Sequence, residues 1–141
     1  MVSRAAFYRN YRDKYQLVEQ IFDDAIADLV GTMADEDQPA EQRWVAFFEH
    51  IAHYHRLYGA LLGRSGGPWF ADRMRATLAD MARQHLPDNP RTGMVPTLLS
   101  AMYVQAITWW LDNDRPSPPG RIADQTARLA RAVLTEAGRW H

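Results

Sequence analysis

The side chains with the greatest chemical reach fall into three groups. Glu49, His50, His53 and His55 form a histidine cluster, and His50 and His53 stand three residues apart, a spacing that sets two imidazoles on one helical face as a pair of metal ligands would be. Two ligands do not complete a tetrahedral site. No Glu precedes a His by three residues, as the di-iron pattern of helical bundles requires, so these histidines are expected to line a pocket or cap a loop, with no metal. The second group is Glu19, Asp23 and Asp24, which reads as a solvated helical face, because nothing in the sequence sets a base beside a nucleophile. The chain has no cysteine, which removes thiolate nucleophiles, disulfides and cysteine-held metals, and fits a reducing compartment. The expectation is a protein that is not an enzyme, has no cofactor and is cytoplasmic. The third group is basic. Between Met1 and Lys14 the side chains carry a net charge of +3 from Arg4, Arg9, Arg12 and Lys14 against Asp13, whereas Tyr15 to Asp37 holds seven acids and no Lys or Arg. A polyanion would be met at the N-terminus.

The elements that must position these groups are all helical. At 141 residues, 47% hydrophobic and 23% charged, the chain has the composition of one globular domain. No stretch approaches the roughly 18 uninterrupted apolar residues of a membrane span. Leu17, Val18, Ile21, Phe22, Ala25, Ile26, Leu29 and Val30 recur at helical spacing, with Asp13 as N-cap and Gly31 as stop. A second helix begins at Pro39 and runs through Trp44, Phe48 and Ile51 toward Leu62, with a bend or break near His53. Glycines and a proline over Gly63 to Pro68 separate it from a third helix, Trp69 to Leu86, with Phe70, Met74, Leu78 and Met81 inward. Val95 to Leu111 is apolar almost all round and must be covered on more than one side. A proline-rich turn then leads to a last helix, Arg121 to about Trp140, with Ile122, Leu129, Ala130, Val133 and Leu134 on its apolar face. No strand pattern is present, and the fold class is all-α.

The segment Val2 to Leu17, VSRAAFYRNYRDKYQL, sets Ser3, Ala6, Phe7, Tyr8, Tyr11, Lys14 and Leu17 in a definite order. It resembles the recognition helix and following turn of the TetR family of transcriptional regulators. Two positions depart from the family pattern: Ala6 stands where threonine is usual, and Asn10 where histidine is usual. A short helix rich in small residues can enter the major groove, where arginine grips guanine edges and tyrosine, asparagine and lysine reach phosphates. The resemblance implies that Ser3, Arg4 and Ala5 face base edges, that Tyr8, Asn10 and Lys14 fix the DNA backbone, and that Phe7 and Tyr11 pack inward. It also implies two domains, a helix-turn-helix remnant over residues 1–14 and a five-helix ligand-binding and dimerisation domain over residues 15–141.

By the same resemblance the protein is a homodimeric repressor, released from a double-stranded DNA operator by a small, largely hydrophobic effector. Phe47, Phe48, Ile51, Tyr54, Tyr58, Trp69, Phe70, Met74, Met102 and Tyr103 are the expected pocket residues, since aromatic and methionine side chains with a few polar groups suit such a ligand. Trp109, Trp110, Leu129 and Val133 are the expected dimer residues. Adjacent positions on a helix diverge by about 100°, so one of the two tryptophans serves the subunit core and the other the partner. The alternative reading is a stand-alone helical ligand-binding and dimerisation module that does not bind DNA. The family usually has two helices ahead of the recognition helix, and a helix-turn-helix needs its first helix across the DNA backbone. The chain by itself is therefore expected to hold operator DNA weakly or not at all in a direct titration, and a tight, sequence-specific complex would overturn that expectation.

Overall fold

The computed structural model describes residues 13, 16–17, 19–24, 27, 40–63, 68–86 and 93–140. The residues expected to meet DNA, Ser3, Arg4, Ala5, Tyr8, Asn10 and Lys14, lie outside the described residues, as does the boundary at residue 14. Among the described residues there are helices and no strands. The helical residues 19–24 form α1, followed by α2 (Ala40–His53), α3 (His55–Leu62), α4 (Trp69–His85), α5 (Val95–Asp112) and α6 (Pro119–Ala137). No helix among these residues is long and apolar enough to cross a membrane.

The expected break near His53 is a bend between α2 and α3. Tyr54 leaves the helical region at φ −104°, ψ 32°, yet its N–H still donates to the His50 carbonyl at 3.1 Å and its carbonyl accepts from Tyr58 N–H at 3.0 Å. The chain thus turns without giving up its backbone hydrogen bonds, and α3 runs on to Gly63. That residue's N–H donates to the Gly59 carbonyl oxygen at 2.8 Å, and a Cβ on Gly63 would stand 2.6 Å from the same oxygen.

The core is a continuous aromatic and aliphatic cluster. Phe48, Ile51, Tyr58, Phe70, Met74, Ile107 and Trp110 are completely buried, and α1 adds Phe22, whose ring meets Phe70 edge-on at 5.3 Å. Arg73 of α4 holds the same helix by donating to both carboxylate oxygens of Asp23 at 3.1 Å. Each full burial of such a side chain contributes roughly 1.5–3 kcal/mol, and the edge-on aromatic pairs add about 0.5–1.5 kcal/mol. The broadest packings are α4 on α5 and α2 on α6.

A tight connection joins α5 to α6. Asp114 and Arg115 both take left-handed backbone angles, φ 55° and 52°, and their N–H groups donate to the Leu111 and Trp110 carbonyls at 3.1 and 2.7 Å. The buried indole of Trp110 donates to the Ser117 carbonyl at 2.9 Å, which ties the turn to the core. Pro119 then opens α6 in the first turn, where proline's missing N–H costs nothing. On α6 the buried face is Ile122, Ala123, Thr126 and Ala137, with Ala130 and Val133 partly covered, while Leu129 is 57% exposed. The apolar face read from the sequence is therefore rotated: small residues turn inward because α2 packs closely there, and Leu129 is left outside.

Gly59 within α3 and Gly63 at its C-cap predict opposite effects. Gly59 has open space where a Cβ would go, so Gly59→Ala is expected to raise stability by about 1 kcal/mol through helix propensity. Gly63→Ala pushes a methyl group into a backbone oxygen and is expected to lower stability by a similar or larger amount. Urea denaturation of both variants checks the pair.

Candidate functional site

Four helices leave a cavity of about 160 Å³. Leu78, Met81 and Ala82 come from one face of α4, with Leu86 just past its end; Leu99, Ser100 and Tyr103 come from α5; Ala130 and Leu134 come from α6; and Trp44 from α2 closes one side. The space exists because Ala82, Ser100 and Ala130 are small where the helices converge, and the rings opposite them are too stiff to fill it. Trp44 and Tyr103 stack with centroids 4.3 Å apart and planes 13° from parallel, forming a flat aromatic wall. Trp44 is braced in turn by the edge of Phe47 at 5.8 Å. Sites for drug-sized ligands run to roughly 300–1,000 Å³, whereas an apolar cavity of about 150 Å³ accepts a benzene ring. This one is of ring size and open to solvent on one side.

Its two hydroxyls are already engaged. Ser100 is buried and its Oγ donates to the Thr97 carbonyl at 2.9 Å. Thr126, also buried, donates to the Ile122 carbonyl at 2.8 Å and the Ala123 carbonyl at 3.1 Å, and its side chain hydrogen-bonds the Tyr103 phenol. Burial raises the Tyr103 phenol to about 12, against the opposing pull of the Thr126 hydrogen bond and the Arg131 charge.

Of the ten residues expected to form the pocket, Tyr103 lines this cavity. Phe47, Phe48, Ile51, Tyr58, Phe70 and Met74 are buried in the main core; Trp69 and Met102 pack against it, and Tyr54 is exposed at the α2–α3 bend. Trp44, Leu99, Ser100 and Ala130 were not singled out from the sequence as ligand contacts. Trp44 belongs to the same i, i+3, i+4 stripe as Phe47 and Phe48, which gave a signal for core but none for a cavity wall.

The histidines are used locally. The Tyr58 hydroxyl and Nε2 of His50 share a hydrogen bond at 2.8 Å, and Nδ1 of His55 donates to the Ala52 carbonyl at 2.9 Å. Among the described residues no three His, Asp or Glu side chains gather as a metal site would need. Burial also raises the phenol of Tyr58, with Tyr54 acting in the same direction. Of the four expected dimer residues, Trp109 is 53% and Leu129 57% exposed, and Val133 is partly buried. Trp110 is fully enclosed within the subunit, its indole committed to Ser117, and so faces no partner.

Because the folded state keeps the Tyr103 proton up to about pH 12 while an unfolded tyrosine releases it near 10, stability is intact below pH 10 and falls as pH rises between those values. The expected loss is about 2–3 kcal/mol over that window, read by thermal melts at stepped pH, with a shallower fall in Tyr103→Phe. No family model, no curated protein and no solved structure matches the chain, which leaves its own residues and their geometry to indicate a function.

Proposed function

We propose that the chain is the ligand-sensing and dimerising part of a TetR-type transcriptional repressor, released from operator DNA when a small apolar effector enters the cavity beside Trp44 and Tyr103. The observation that carries this reading is the double duty of α5 and α6. Leu99, Ser100 and Tyr103 line the cavity while Leu98 and Trp109 of the same helix are exposed; Ala130 and Leu134 line it while Leu129 points outward. Exposed apolar side chains gathered on two adjoining helices are the surface a second copy would cover about a two-fold axis. A ligand that shifts α5 against α6 then alters how two subunits sit together. The recognition helices must lie about 34 Å apart to enter successive major grooves, so a small change in that geometry separates bound from released protein. Couplings of this kind amount to about 1–3 kcal/mol.

The basic segment Ser3 to Lys14 supports the DNA half of the proposal through its sequence pattern. Phosphate contacts from Arg and Lys make such binding weaken steeply with salt.

Two measurements test the reading. Sedimentation of the chain is expected to give a dimer, and Trp109→Glu combined with Leu129→Glu a folded monomer. Titration of DNA from around the gene's own promoter, at low and higher salt, is expected to give specific binding when two helices that complete a helix-turn-helix are joined ahead of residue 1. A stable dimer that binds no promoter DNA in that completed form would overturn the repressor and leave a stand-alone ligand-binding module.

A further inference from the structure

The polar groups at the cavity wall restrict what can enter it. Ser100 and Tyr103 are the hydroxyl-bearing residues lining it, and Ser100 has committed its proton to the Thr97 carbonyl. Its oxygen keeps lone pairs that this bond does not use. The cavity therefore offers a hydrogen-bond acceptor within an otherwise apolar lining that holds no charged residue, a setting that rewards a ligand able to donate one hydrogen bond and penalises an anion that must shed its water. Size and shape narrow the choice further. The volume of about 160 Å³ holds one aromatic ring with a small substituent, and the Trp44–Tyr103 stack supplies a flat wall for it.

We propose that this cavity selects an uncharged, single-ring aromatic compound bearing one hydrogen-bond donor, of the phenol class. The proposal rests on the ligand-sensing half of the function above. It adds that the polar contact runs from ligand to protein, with Ser100 accepting.

Isothermal titration of the full chain with phenol, toluene and benzoate tests it. Phenol is expected to bind about five- to tenfold more tightly than toluene, the worth of one neutral hydrogen bond, and benzoate more weakly than either. Ser100→Ala is expected to bring phenol down to the toluene level while leaving toluene unchanged. Ala130→Leu, which fills the cavity, is expected to abolish binding of all three, with circular dichroism confirming that each variant is folded. Equal affinity for phenol and toluene, or a phenol preference that survives Ser100→Ala, would overturn the donor assignment and leave an apolar effector standing. Tighter binding of benzoate would overturn the uncharged class. Binding that persists in Ala130→Leu would move the site elsewhere, and no binding by any compound would remove the ligand-sensing reading itself.

Discussion

α5 is apolar around most of its circumference, and its neighbours cover most of that surface while leaving Leu98 and Trp109 exposed. A helix of this kind cannot rest on a single neighbour. α4 packs along it most extensively, while α3 and α6 take further sides. α2 reaches it with Trp44 on Tyr103 and with Phe48 on the edge of Trp110 at 5.9 Å. Trp110 anchors the arrangement, since it is fully buried and its one polar atom reaches the Ser117 carbonyl in the following turn. The left-handed pair Asp114 and Arg115 is held in place by the hydrogen bonds that close the same turn, so the direction in which α6 returns is set where α5 ends.

The same demand for close cover produces the cavity. Helices that approach closely need small side chains, and Ala123, Thr126, Ala130 and Ala137 supply them along α6. Where these surfaces meet the Trp44–Tyr103 wall, small residues leave a recess of ring size, open to solvent on one side, beside two hydroxyls. That α5 and α6 each present one side to this void and another to solvent makes their mutual position the variable through which an occupant would be felt.

The residues with the most obvious chemistry turn out to be structural supports. His50 satisfies the otherwise isolated hydroxyl of Tyr58, and His55 ties down a carbonyl at the α2–α3 bend. Asp23 pairs with Arg73 and docks α1 on α4, and Asp24 accepts a hydrogen bond from Gln20 at 2.8 Å. The exposed Arg73–Asp23 ion pair is weak, about 0–1 kcal/mol, so it orients α1 more than it stabilises it, and the burial of Phe22 holds it.

What the sequence determined by itself is local. Helical spacing and the placement of glycine and proline set the helices from Ala40 to Ala137 in order and the bend at Tyr54, because each depends on neighbours a few residues away, whereas α6 begins at Pro119, two residues ahead of the start at Arg121 that the spacing indicated. The divergence of Trp109 from Trp110 follows equally from helical geometry. Which of the two is enclosed, which face of α6 turns inward and where space is left between helices were decided by tertiary structure alone. Leu129 and Ala130 are equally apolar in a sequence, but only the closeness of α2 decides that the smaller one goes in. A cavity has no signature along the chain, since it forms where side chains from four separate helices fail to fill the space between them.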